Sequence, residues 1–289
     1  MTYLERLSAR TRRVGTVLCL GLDPTLEGLP AGFSRDLVGL ERFAALVLEA
    51  AVPCAAAVKP NLAFFEAHGS AGMAALERLR ALIPADVPVI ADAKRGDIGT
   101  TAERQAVALF DVLGADAVTV NPYLGSEAVM PLLERADRFA YLLCRTSNPG
   151  AGEVQDLVVA ADPGLAAPQE RLHERVARLA VGWDQGGTVG LVVGATAPHE
   201  LAAIRAIAPG LAFLVPGVGA QGGDIGGVLA SGPATTLPGA AAAAGGLLVN
   251  VSRGIAAAAL TTGEGPPGDP GERLSNAAAD WAARLPVLP

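Results

Sequence analysis

Eight short apolar runs, each leading into residues with apolar positions at helical spacing, recur along the chain and constrain its fold more than any other feature. The runs are Val17–Asp23, Cys54–Asn61, Val87–Ala91, Ala117–Pro122, Phe139–Ser147, Val189–Gly194, Ala212–Pro216 and Leu247–Ser252. They are apolar nearly throughout, which is how strands read when both faces of a parallel sheet are covered. Helices are expected over Leu37–Ala51, Ser70–Ile83, Thr101–Leu113, from Ser126 onward, over Pro168–Trp183, from Pro198 onward, and over Glu272–Leu285. Eight strand–helix units in 289 residues, with no linker to divide them, fit an α/β fold of one (β/α)₈ TIM barrel better than a doubly wound open sheet. The whole of 1–289 is read as that single domain. Leu229–Gly246, rich in Ala, Gly, Pro and Thr, is expected to be a flexible surface insertion between the last two strands, and Thr261–Gly271 a loose lead-in to the final helix.

A net charge of −7 without a basic block argues against nucleic acid as a partner. Met1–Arg13 is polar and basic, and the apolar run behind it, Val14–Leu22, ends at Asp23. That is too short for a membrane span and wrongly built for a secretion signal. Cys19, Cys54 and Cys144 lie scattered in apolar runs and read as buried free thiols of a cytoplasmic protein. His68, His173 and His199 are far apart and suggest neither a metal site nor a catalytic triad. Nothing in the chain points to pyridoxal, thiamin or a metal, so no cofactor is expected.

Val87–Thr101 carries the densest chemistry. Its apolar half ends at Asp92-Ala-Lys-Arg-Gly-Asp97, which places four charges within six residues where the strand is expected to stop. Alternation along the strand would put Asp92 and Lys94 on one side. Gly96 would turn the chain, and Thr100 or Thr101 would cap a helix beginning near Ala102. In a parallel barrel the reactive end is the carboxyl end of the strands. Asp23, Lys59, Asp92, Lys94, Asn121, Ser147 and Gln221 should converge there, with Lys59 reaching Asp92 from the neighbouring strand and Asp97 close by. Alternating charges hold one another ionised, each contact being worth on the order of 4 kcal/mol before desolvation at an effective dielectric near 20. The loops after strands seven and eight are the usual phosphate site of such barrels. Here they offer Gly217, Gly219, Gly222, Gly223 and the guanidinium of Arg253.

Asp92-Ala-Lys-Arg-Gly-Asp-Ile98 resembles the signature of orotidine 5′-phosphate decarboxylases. The likeness continues through Leu20-Gly-Leu-Asp23, Val58-Lys-Pro-Asn61, Val120-Asn-Pro-Tyr-Leu-Gly125, Thr146-Ser-Asn-Pro-Gly150, Pro216 to Asp224 and Asn250-Val-Ser-Arg-Gly254. It is nearest to the longer bacterial (type 2) branch of that family. The Asp-x-Lys-x-x-Asp core alone is shared with sister barrels acting on sugar phosphates, which use Mg²⁺. The resemblance implies that Asp23 and Lys59 hold ribose hydroxyls and that Asp92 sits beside the substrate carboxylate. It makes Lys94 the proton donor to C6, Ser147 a contact to the pyrimidine amide edge, Gln221 a bridge from base to phosphate, and Arg253 the phosphate ligand. Asn121, Pro216 and Ser252 complete the substrate-binding set. Asp97, with Ile98 and Thr101, would enter the other subunit's site in a homodimer.

The chemistry that the resemblance implies can also be argued from charge. Loss of CO₂ from a ring carbon leaves a localised carbanion, which a fixed ammonium can stabilise and then protonate. Three other readings compete: the metal-dependent sister reaction, a barrel that binds phosphate without turnover, and Schiff-base chemistry at Lys94. The last is disfavoured because flanking carboxylates keep a lysine protonated.

Overall fold

Strand alternation sorts the barrel into two faces. The strands are β1 (Leu18–Leu22), β2 (Ala57–Pro60), β3 (Ile90–Arg95), β4 (Ala117–Val120), β5 (Phe139–Arg145), β6 (Val189–Val193), β7 (Ala212–Pro216) and β8 (Leu248–Val251). The chain is described by a computed structural model for residues 1–161, 169–184, 186–219, 222–237, 244–260 and 269–288. Side by side the strands run β2-β1-β8-β7-β6-β5-β4-β3, all parallel. Bridges Val58–Val89 and Asn61–Asp92 join β2 to β3 and close the ring. The expected (β/α)₈ barrel is therefore the observed one.

Cys19, Ala57, Ile90, Ala117, Phe139, Tyr141, Val192, Ala212, Leu214 and Leu248 point inward and form the lower barrel core. Their neighbours, among them Leu18, Leu20, Val58, Val118, Leu142, Leu191, Phe213 and Val249, pack outward against the helices. These helices are α1 (Tyr3–Val14), α2 (Leu37–Ala51), α3 (Gly69–Leu82), α4 (Gly99–Ala106), α5 (Ser126–Leu133), α6 (Leu172–Trp183), α7 (Pro198–Ile207), α8 (Ile225–Ser231) and α9 (Pro270–Arg284). None of the described helices is long and apolar enough to cross a membrane.

The polar start of the chain is a helix, α1, which the sequence reading passed over. Thr2 and Glu5 form a reciprocal capping box at its N-terminus. Tyr3, Leu4 and Leu7 enter the lower barrel core, where Tyr3 stacks on Phe139 at 4.7 Å and meets the Tyr141 hydroxyl at 3.1 Å. Burying three such side chains contributes roughly 5 kcal/mol. Arg6 seals the edge through Asp116 at 2.6 Å, and α1 thereby plugs the end of the barrel opposite the charged one.

Four local expectations need correction. Strand β3 does not stop before Asp92 but runs on to Arg95, because its amides and carbonyls still pair with β4. Helix α4 starts at Gly99 with Ile98 as its cap residue and no side-chain cap bond, so Thr100 and Thr101 lie inside its first turn. Cys54 is only half-buried, whereas Cys19 and Cys144 are buried. Leu229–Ser231 of the stretch read as an insertion belongs to α8. The buried Arg205 donates to Gly232 O at 2.5 Å, and Leu237 packs on the barrel core. Residues 238–243 lie outside the described residues.

Candidate active site

The inward face continues upward from the apolar core, and its next layer is polar. One step above Ala57, Ile90, Ala117 and Leu248 stand Lys59, Asp92, Thr119 and Asn250. Asp92 Oδ2 takes a bond from Lys59 Nζ at 2.7 Å, and Asp92 Oδ1 takes one from Lys94 Nζ at 2.6 Å. Burial pulls the Lys59 ammonium toward neutrality, but Asp92 and then Asp23 outweigh it and hold its pKa above the usual lysine value. Burial likewise raises Asp92, and the two ammonium groups overcome that to leave its carboxyl well below the ordinary range. Beneath them burial pushes the Cys19 thiol up to about 12, so it stays protonated.

Lys94 reaches Asp92 by a route that simple alternation does not provide. Ala91 pairs with Val118 and Arg95 with Val120, so Asp92, Ala93 and Lys94 bulge opposite the single residue Thr119. Lys94 itself has a φ of +47°, a left-handed conformation rare for a side chain of its size. Thr119 braces the bulge: its hydroxyl accepts the Lys94 N–H at 3.0 Å and donates to Asp92 Oδ1 at 2.9 Å. Thr119 was missed from sequence. Its signal was a lone hydroxyl between Val118 and Val120 on the inward side.

Two cavities share Lys59, Asp92 and Pro216 as their common wall. The first, about 250 Å³, holds Lys94, Thr119 and Ser147 among apolar Leu143, Val192 and Leu214. The second, about 240 Å³, is lined by Asp23, Asn61, Gly217, Gly219, Asn250, Ser252 and Arg253. Buried Asp23 Oδ1 and Asn250 Oδ1 have no hydrogen-bond partner among the described residues, a costly state unless a ligand donates to them. Asn250 was also missed. Room for it comes from Gly21 on the adjacent strand, where a methyl would lie 2.7 Å from Ser252 Cβ and 3.1 Å from both ends of the Asn250 amide. Arg253 is exposed at the rim, and no described residue bonds or pairs with its guanidinium. The loop above turns at Gly217, whose φ is +102°, and Gly223 N donates to Gly217 O at 2.9 Å. Gln221 lies outside the described residues.

Ser147 is set by close packing, since its Cα would be 2.8 Å from any Cβ at Gly194. Two expected site residues are not brought to the charge array within one chain. Asp97 Oδ1 accepts the N–H of Ile98 at 2.8 Å, lines neither cavity and forms no ion pair among the described residues. The expectation that Asp97 stands close to Lys59, Asp92 and Lys94 fails here because the chain turns at Gly96, packed on Asn121 O, and leaves the mouth. Asn121 caps the turn Pro122–Leu124 by accepting the Tyr123 N–H at 3.1 Å. It lines a different cavity of about 460 Å³ beside Gln155, His173 and Trp183. Ile98 is 51% exposed and Thr101 is exposed on α4.

A family model described as Orotidine 5'-phosphate decarboxylase / HUMPS family matches residues 16–264. The chain is 48% identical over 257 residues to a Thermomicrobium roseum protein named Orotidine 5'-phosphate decarboxylase, covering 88% of this chain and 86% of that one. A Herpetosiphon aurantiacus protein of the same name is 45% identical over 254 residues, with 88% of each covered. The solved structure of Leishmania donovani OMP decarboxylase matches with a TM-score of 0.80 at 36% identity, covering 98% of this chain and 97% of that chain.

Proposed function

Because the chain belongs to the orotidine 5′-phosphate decarboxylase / HUMPS family, we propose that it converts orotidine 5′-phosphate to UMP and CO₂ with no cofactor. One observation carries this reading: two ammonium groups fixed on opposite oxygens of one carboxylate at the open end of the barrel. In the proposed pose the base occupies the first cavity, and the sugar and phosphate occupy the second. Ser147 meets the pyrimidine amide edge and Pro216 walls the base. Asp23 and Lys59 hold ribose hydroxyls, whose O–H groups suit the unpaired oxygen of Asp23. Ser252 and Arg253 take the phosphate, with Gln221 bridging phosphate and base. Asn121 is retained only as an outer contact, given its position.

As the bond from C6 to the carboxyl carbon breaks, CO₂ departs and the electron pair stays on C6. The Lys94 ammonium, already held by Asp92, stabilises that pair without reorganisation and then transfers a proton from Nζ to C6. The resulting neutral amine regains its proton from solvent, to which the Lys94 side chain is 49% exposed. Asp92 faces the departing carboxylate, and their repulsion is relieved as neutral CO₂ forms. Phosphate binding energy, gained far from C6, is available to close the glycine-rich loop and exclude water.

The proposed assembly is a homodimer in which Asp97, Ile98 and Thr101 complete the partner's site. Its support is the apolar surface at this end of the barrel, where Ile98, Tyr123 and Leu124 are 51%, 83% and 48% exposed. The decisive test is the fall in orotidine 5′-phosphate absorbance with and without EDTA. Turnover unaffected by EDTA and lost in Lys94→Ala is expected. No turnover by wild type, or turnover abolished by EDTA, would refute the reading and favour a metal-dependent sugar-phosphate reaction.

A further inference from the structure

Ser147 can read a base edge only if the three residues after β5 are held still. All three, Thr146, Ser147 and Asn148, line the first cavity. On one side the loop rests on Gly194, and Thr196 Oγ1 donates to Ser147 O at 3.3 Å. On the other it is gripped by a side chain outside that cavity. Gln155 Oε1 accepts the Thr146 N–H at 2.8 Å, and Gln155 Nε2 donates to Thr146 Oγ1 at 2.8 Å. The Thr146 hydroxyl passes the constraint on, donating to Asn148 Oδ1 at 2.6 Å. Gln155 is itself anchored: its carbonyl lies 2.9 Å from His173 Nδ1, which donates to it. The next residue, Asp156, takes Arg145 through two bonds of 3.1 Å. The chain is thus tied immediately before and after Thr146.

We propose that Gln155 is a positioning residue for base recognition, its amide clamping Thr146 so that Ser147 and Asn148 face the pyrimidine. The proposal rests on the reading above, in which the first cavity receives the base. A primary amide suits the role because it presents an acceptor and a donor side by side. A carboxylate offers two acceptors, and an aliphatic side chain offers neither. The clamp acts on one lobe of the site only. Neither Gln155 nor the loop Thr146, Ser147 and Asn148 that it clamps lines the second cavity, so sugar-phosphate binding should not sense it.

The test compares inhibition constants of UMP and of ribose 5-phosphate for wild type, Gln155→Ala and Gln155→Glu. Losing the two bonds in Gln155→Ala should weaken UMP by about tenfold and lower kcat/KM by a similar factor. Affinity for ribose 5-phosphate should stay within about twofold. Gln155→Glu keeps an acceptor for the Thr146 N–H and should lose about threefold for UMP; it also serves if the alanine variant does not fold. Equal weakening of both ligands, or no weakening of UMP, overturns the clamp while wild type still turns over. Failure of wild type to decarboxylate orotidine 5′-phosphate overturns the parent reading instead.

Discussion

Lys94 holds Asp92 at 2.6 Å from a left-handed backbone position, φ +47°, that glycine would occupy at no cost. A side chain there carries on the order of 1–2 kcal/mol of backbone strain. The bulge opposite Thr119 and the ion pair with Asp92 sustain that strain. The ammonium proposed as proton donor therefore stands on a backbone conformation that favours glycine.

Replacing Lys94 separates the two effects. Both Lys94→Ala and Lys94→Gly should lose turnover while the barrel stays folded. By denaturant unfolding, Lys94→Gly should be more stable than Lys94→Ala by about 1 kcal/mol. Equal stabilities would show that the left-handed turn is not strained.

Asp92→Asn removes the carboxylate that neutralises a lysine side chain only 6% exposed. Breaking such a pair should destabilise the protein by roughly 3 kcal/mol near neutral pH. The folded pKa of Asp92 lies below its unfolded value of about 3.9, so its contribution is complete above that pH and lost as pH falls further. The folded pKa of Lys59 lies above the usual value, so its contribution persists below about pH 10 and is lost on further alkalinisation. Chemical unfolding from pH 2 to 7 should show a steeper acid decline in wild type than in Asp92→Asn.

Asp23→Asn is expected to lower ligand affinity more than stability. It removes the charge that, after Asp92, holds the buried Lys59 ammonium, so the protein should unfold slightly more easily than wild type but less so than Asp92→Asn. UMP affinity should fall by about tenfold. A thermal shift assay beside an inhibition assay reads both quantities, and unchanged UMP affinity would count against this account.

The proposed homodimer with shared sites predicts complementation. Asp97→Ala and Lys94→Ala should each be inactive alone. In a refolded equal mixture, half the dimers are mixed, and each mixed dimer has one intact site. Activity of about one quarter of wild type is then expected, against none if every site is built within one subunit.

Much of the fold was legible because its cause is local. Continuous apolar runs such as Val189–Val193 and Ala212–Val215 leave little choice but a strand covered on both faces, and eight of them with helices between imply closure. Position at the carboxyl ends of strands placed Lys59 and Asp92 at the mouth, and in the barrel each lies two residues beyond an inward core residue.

What tertiary structure decided arises from contacts between strands distant in sequence. The bulge that aims Lys94 exists only because β4 offers a single residue, Thr119, against three. The space for Asn250 is made by a glycine on β1, Gly21. Asp97, five residues from Asp92, leaves the array because Gly96 packs on the backbone of Asn121. Helix α1 was overlooked because its polar face dominates the sequence, while its three buried apolar side chains gain their partners only once the barrel floor has formed. Residue type and spacing set which groups reach the mouth of the barrel. Their aim is set by pairing register and packing, which depend on neighbours that no local stretch of sequence contains.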